Sequence, residues 1–353
     1  MAVRDVVIVG AGPSGLATAI AAKQHGLDYV IVEKGVLVNS IFKFPTHMVF
    51  FTTPELLEIG GLPLVTPFEK PTRLEALRYY RRVVDTYSLQ ISFHEQVVAI
   101  DREDGVFAVT TEPADVGGAF TDVGRALTAR REDAPEHERR ATRVREARAV
   151  VLAIGYYDHP NCLGVPGENL PHVSHYYTEA HPYYRRRVVI VGGRNSAAEA
   201  ALELVRAGAH VTLVHRGAEL GASIKYWVRP DIENRIKEGS IAAHFETHVV
   251  EIRPHGVIVE RAGTREDILA DAVLLLTGYR PDVALMQRAG IRCDEQTAVP
   301  ELDPETFETN VSNLFIAGGA IAGRNTGSIF IENGRFHGER IVKVLADRLG
   351  RVE

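Results

Sequence analysis

Asp5-Val6-Val7-Ile8-Val9-Gly10-Ala11-Gly12-Pro13-Ser14-Gly15 is the stretch that decides the fold. Asp5 to Val9 is a short, continuous β-branched run, the pattern of a strand buried on both faces of a parallel sheet. Gly10, Gly12 and Gly15 follow at G-x-G-x-x-G spacing. Leu16, Ala17, Ala19, Ile20 and Ala22 then predict a small-residue helix ending near Gly26. Tyr29 to Val32 reads as the next buried strand, with Glu33 at its end. A strand, a Gly-rich turn, a helix, a second strand and a terminal acid together form a dinucleotide-binding fingerprint. Gly10 permits the tight turn, Gly12 lets backbone approach a pyrophosphate, and Gly15 lets helix and strand pack closely. Amides at the helix N-terminus then face the phosphates. Pro13 suits the first helical position, where a missing N–H costs nothing. Glu33 lies about 18 residues past Gly15, the place of a ribose-binding acid.

The pattern returns once. Val188 to Val191 predicts a strand, Gly192-Gly193-Arg194-Asn195-Ser196-Ala197 a turn, and Ala198 to Ala207 a helix closed by Gly208. Val211 to Val214 predicts the second strand. Here Arg194 stands where the second fingerprint glycine is usual, and Ala197 replaces the third. No acid follows the strand; His215 and Arg216 do. An arginine there suits a 2′-phosphate, which favours NADP over NAD, and Lys225 adds charge nearby. The expectation is an α/β fold with two Rossmann-like dinucleotide-binding domains, the second inserted in the first. The first runs over residues 1–156 and 279–353, and the second over residues 157–278.

Length and composition agree. A chain of 353 residues fits about two domains. At 45% hydrophobic and 24% charged residues it is neither disordered nor fibrous. A net charge of -6 argues against a general nucleic-acid binder, which needs basic surface. Two cysteines cannot make a disulfide framework or a structural zinc site. The N-terminal apolar run is broken by Gly10, Gly12, Pro13 and Gly15, so no signal or spanning segment is expected, and a cytoplasmic location is.

Further strands are expected over Phe93 to Asp101, Val106 to Thr111, Ala147 to Gly155, Ala272 to Thr277 and Asn313 to Ala317, and a final helix over Ile329 to Leu349. Glu112 to Arg148 reads as a hairpin with a charged insertion. Its arginines (Arg125, Arg130, Arg131, Arg139, Arg140) are interleaved with acids, which fits a solvated face, or a docking patch for an acidic partner.

The arrangement resembles the two-dinucleotide-domain flavoproteins that include thioredoxin reductase. Ala153-Ile154-Gly155 matches the crossover out of the FAD domain and Thr277-Gly278-Tyr279-Arg280-Pro281 the return. Longer strings are similar to the bacillithiol disulfide reductase family: Pro45-Thr46-His47-Met48, Gly155-Tyr156-Tyr157-Asp158, Tyr226-Trp227-Val228 with Pro230-Asp231-Ile232-Glu233-Asn234, and Phe330-Ile331-Glu332-Asn333-Gly334-Arg335. The resemblance implies FAD at Gly10, Gly12, Pro13, Ser14, Gly15, Glu33, Lys34, His47, Val98, Ala153, Gly155, Gly319 and Ala320. It implies NADPH at Gly193, Arg194, Asn195, Ser196, His215, Arg216 and Lys225. No catalytic residue and no metal ligand set is assigned. The implied activity is an NADPH-dependent flavoprotein reductase acting on a low-molecular-weight disulfide or a small redox protein, as a homo-oligomer, with no nucleic acid and no membrane.

Three departures bear on the chemistry. Thioredoxin reductase carries Cys-x-x-Cys where this chain has Ser174-His175-Tyr176-Tyr177, so a dithiol relay is excluded there. The bacillithiol reductases usually place Cys after the Pro of the first turn; this chain has Ser14. The Gly-Asp common near the flavin ribityl chain is Gly318-Gly319 here. Cys162 and Cys293 sit in no motif position and read as incidental, and no spacing among His159, His172, His175 and His181 completes a metal site. A ferredoxin- or flavodoxin-NADP reductase, which needs no cysteine, is the alternative. A non-catalytic NADPH or redox-sensing module is another, and a flavin monooxygenase lacks its expected string between Asn39 and Phe51.

Overall fold

The computed structural model describes residues 3–114 and 142–351. In chain order the elements begin with β1 (Arg4–Val9), α1 (Pro13–Gln24), β2 (Tyr29–Glu33), α2 (Asn39–Phe42), α3 (Arg73–Tyr87), β3 (Ile91–Phe93), β4 (Glu95–Glu103), β5 (Val106–Pro113) and β6 (Arg143–Leu152). They continue with β7 (Val173–Ser174), β8 (Arg187–Val191), α4 (Asn195–Arg206), β9 (His210–Val214), α5 (Arg229–Lys237) and β10 (Ile241–His244). Then come β11 (His248–Arg253), β12 (Gly256–Arg261), β13 (Thr264–Leu269) and β14 (Ala272–Leu275). The last are α6 (Val283–Arg288), β15 (Leu314–Ile316), α7 (Ile331–Gly334) and α8 (His337–Arg348). They form two compact units: Met1–Lys43, Met48–His159 and Arg280–Glu353 in one, Phe44–His47 and Pro160–Tyr279 in the other.

The first unit is built on a 7-stranded sheet in the order β3-β2-β1-β6-β5-β4, with β15 also on β6. The continuous apolar runs lie at its centre, parallel and covered on both faces. Val7, Val9, Val30, Val32, Val150 and Leu152 join one core with Leu314 and Ile316. β6 serves two neighbours along one edge. Its first half pairs antiparallel with β5 through Arg143 to Ala147, and its second half pairs parallel with β15 through Val150 to Leu152. α8 packs on α1 so closely that a Cβ on Gly338 would lie 2.6 Å from the Thr18 backbone nitrogen.

Three expectations change. The strand expected over Phe93 to Asp101 is two strands, broken at His94, whose φ of 59° interrupts the ladder. The strand expected from Ala147 begins at Arg143, so the hairpin returns earlier than the composition suggests. The single helix expected over Ile329 to Leu349 is α7 and α8. The chain bends at Arg335-Phe336, where Gly334 approaches the backbone of Gly318 and Arg335 Nη1 donates to the carbonyls of Glu55 and Glu58, both at 2.6 Å. The arginines named in the charged insertion lie outside the described residues.

The second unit has a 5-stranded parallel sheet, β10-β9-β8-β14-β7, and a 3-stranded antiparallel sheet, β11-β12-β13. α4 buries an alanine-rich face of Ala197, Ala198, Ala200 and Ala201 with Leu202 and Leu204. Among the described residues no helix is long and apolar enough to cross a membrane.

Candidate functional site

In the first unit, β1 delivers the chain to Gly10 at φ 107°, a conformation that favours glycine. Gly10 N donates to Val32 O at 2.8 Å, and Ala153 N donates to Val9 O at 2.8 Å. A Cβ on Gly10 would sit 2.5 Å from Ala153 O, and one on Gly15 would sit 2.0 Å from Gly10 O. Both glycines are therefore demanded by the chain's own packing. Gly12 is different: a Cβ there would meet nothing within 4 Å. The space before it is open, as a cradle for a pyrophosphate requires. Gly12 is the N-cap of α1 and no side chain caps that helix, whereas α3 carries a full capping box from Thr72 and Glu75. The first amides of α1 and its dipole are left for an anion.

Glu33 closes the turn. Its Oε2 accepts from Ala11 N at 2.7 Å and its Oε1 from Gly35 N at 2.7 Å. Burial raises its pKa, and these two N–H donors oppose the rise. Lys34 Nζ lies 3.1 Å from Asp158 Oδ2 and Lys43 Nζ 2.6 Å from Oδ1. Burial would raise the Asp158 carboxyl, but the two ammonium groups hold it below the usual carboxylate range. Val98 falls at the register shift between Val97 and Ala99 on β4, so its backbone drops out of the β5 ladder. Gly155 has φ 60°. Gly319 meets the Tyr156 ring, which a Cβ would approach to 2.7 Å, and Ala320 is buried.

Ser14 occupies a slot lined by two glycines. Its Oγ would lie 2.5 Å from a Cβ on Gly318 and 3.3 Å from one on Gly334. Pro13 is at the start of α1 as expected. His47 belongs to the short segment Phe44–His47 that clusters with the second unit, where Thr46 N donates to Thr178 O at 2.8 Å.

The second turn repeats the first. Gly192 N donates to Val214 O at 3.0 Å, Leu276 N donates to Val191 O at 2.8 Å, and a Cβ on Gly192 would lie 2.5 Å from Leu276 O. Arg194, at the place of Gly12, is the N-cap of α4, again without a side-chain cap. His215, at the place of Glu33, lays its ring over Gly193, where a Cβ would come within 2.4 Å of it. Burial and then the charges of Arg216 and Arg194 push the His215 pKa down, so the ring is neutral near pH 7. Arg194 and Arg216 are exposed and have no carboxylate partner among the described residues. Asn195 spends its side chain internally: Oδ1 accepts from Lys225 N at 2.9 Å and Nδ2 donates to Ser223 O at 3.0 Å. It holds the loop carrying Lys225 against α4. Ser196 is exposed in the first turn of that helix.

Sequence reasoning missed Asp158 and His337 as partners of these residues. His337 Nδ1 accepts from Gly318 N at 3.1 Å, and its ring stacks on Phe307 with centroids 4.2 Å apart. Neither has a spacing signal, because each meets its partner only through the fold. The segment at the place of Cys-x-x-Cys is a serine-closed turn, in which Ser174 Oγ accepts from Tyr176 N at 3.0 Å and donates to Tyr176 O at 2.7 Å. Cys162, Glu168 and His175 converge, each with a ligand atom within 4.8 Å of the other two.

The family model described as pyridine nucleotide-disulphide oxidoreductase matches residues 7–119 and 139–318. Bacilliredoxin reductase Bdr of Bacillus subtilis (strain 168) is 40% identical over 345 residues, 97% of each chain. The solved bacillithiol disulfide reductase Bdr (YpdA) from Bacillus cereus is 40% identical with a TM-score of 0.90, over 98% of this chain and 100% of that one. The Staphylococcus aureus counterpart is 37% identical with a TM-score of 0.86, over 99% of each.

Proposed function

The chain belongs to the pyridine nucleotide-disulphide oxidoreductases, and from that premise we propose that it is an FAD-containing, NADPH-dependent reductase of a low-molecular-weight disulfide of the bacillithiol type. The observation that carries the reading is the repeated turn: Gly10 beneath Ala153 O and Gly192 beneath Leu276 O, each opening an uncapped helix. FAD is assigned to residues 1–156 and 279–353, and NADPH to residues 157–278. In the first turn, Gly12 and the amides of α1 would receive the pyrophosphate, Glu33 would hold the ribose, and the Val98 backbone would serve a base edge. In the second, Arg194 and Arg216 supply the cations that a 2′-phosphate needs, and neutral His215 supports the turn beneath them.

When bound, the two cofactors supply the hydride chemistry: NADPH and a proton enter with a disulfide, and NADP and two thiols leave. The protein's work is to orient them. Ser14 forms no mixed disulfide, and no cysteine pair stands at Ser174 to Tyr177. A bound flavin would therefore have to supply the electron pair to the disulfide with no protein dithiol at either of these positions. A second reading takes a small redox protein as acceptor, which the name of the Bacillus subtilis relative favours. Anaerobic NADPH should bleach the yellow protein, and bacillithiol disulfide should restore the colour. A protein that takes up no FAD, or a reduced flavin that only oxygen reoxidises, overturns the proposal. Recovery with an oxidised redoxin alone selects the second reading.

A further inference from the structure

We propose that Cys162, Glu168 and His175 form a binding site for a borderline-soft divalent cation of the zinc class. Their ligand atoms all lie within 4.8 Å of one another. The set mixes sulfur, nitrogen and oxygen, the donors that zinc takes. The fold fixes two of the three. Glu168 is buried, and its carboxylate accepts from Leu163 N at 2.8 Å and Gly164 N at 2.7 Å. A carboxylate has about four lone-pair sites, so acceptor capacity remains. His175 Nε2 stands 3.4 Å from Glu168 Oε1. That nitrogen is the ligand atom offered to a cation; the buried Nδ1, which has no hydrogen-bond partner, is the ring's other nitrogen and takes no part in the site.

Cys162 completes the group from an exposed turn, with its thiol 3.9 Å from Pro160 O. Zinc holds sulfur at about 2.3 Å and nitrogen at about 2.0 Å, so the three donors must draw together by about 1 Å. Rotation of the exposed cysteine side chain supplies that. Metal entry exchanges the thiol proton for the cation, forming a metal–sulfur bond and releasing one proton. The exposed side leaves a coordination position for water, and the bound sulfur is withdrawn from thiol–disulfide exchange.

The test uses the FAD-loaded protein. Cobalt(II) should bind at one equivalent and give a thiolate-to-cobalt charge-transfer band in the near ultraviolet, which zinc abolishes. The band should persist in Cys293→Ser and vanish in Cys162→Ser. In a second readout, zinc should protect Cys162 from iodoacetamide, and His175→Gln should raise the zinc concentration needed at least about tenfold. No band in the wild type, a band that survives Cys162→Ser, or protection unchanged in His175→Gln would overturn the site.

Discussion

Ala11 N and Glu33 Oε2 are joined by a 2.7 Å hydrogen bond that ties the first Gly-rich turn to the end of β2. The second carboxylate oxygen holds Gly35 N at the same distance, so both oxygens of a buried acid are engaged with backbone. The corresponding pair in the second unit, Gly193 and His215, is a packing contact instead. One architecture thus carries an acid at the first turn and a neutral ring beside Arg194 and Arg216 at the second.

Glu33→Gln keeps the shape but turns an NH2 toward one of the two N–H donors. An unmet buried donor costs about 1–3 kcal/mol. The variant should melt lower and release its flavin more readily. Thermal denaturation and the flavin absorbance of the purified protein check this, and unchanged values would refute the role.

Arg216→Ala removes a charge-assisted contact worth about 1.5–3 kcal/mol. KM for NADPH should rise about tenfold to a hundredfold, with KM for NADH nearly unchanged. Steady-state kinetics with both nucleotides separate this from a general loss. An equal effect on both would remove the 2′-phosphate from the account.

His337 gives the pH prediction. Burial, and then the charge of Arg340, lower its pKa from 6.5 to about 4. The neutral ring is the one that accepts the Gly318 N–H. Because the folded value lies below the unfolded one, the stabilisation is fully present above about pH 6.5 and is lost as pH falls through about 4. It amounts to at most about 3 kcal/mol. His337→Asn retains an acceptor without titrating in that window. Urea midpoints between pH 7 and 4 should fall less for the variant than for the wild type.

Gly338→Ala places a methyl group 2.6 Å from the backbone of Thr18. One helix must move, at a cost of about 1–3 kcal/mol. A drop in the denaturation midpoint, with secondary structure retained, is expected.

Both nucleotide units were legible because their signals are local. A β-branched run, a Gly turn and a helix lie within about 30 residues. α3 was legible too and passed unread: Thr72 and Glu75 make a capping box, and Ala76, Tyr79, Tyr80 and Val83 are spaced for one buried face. Other features were not in the local pattern. The break at His94 and the bend after Gly334 depend on tertiary contacts that override strand and helix periodicity. Asp158 meets Lys34 and Lys43 across more than a hundred residues. Cys162 lies near Glu168 and His175 through the folded turn, a proximity that no metal-ligand spacing in the sequence signals.

The most direct measurement is anaerobic NADPH oxidation driven by bacillithiol disulfide in the double variant Cys162→Ser, Cys293→Ser, which has no thiol left. Direct transfer from flavin to disulfide predicts turnover at the wild-type rate and two thiols per NADPH consumed. Disulfide-driven turnover in the wild type that disappears in the double variant would show that a protein thiol carries the electrons, and would contradict the account.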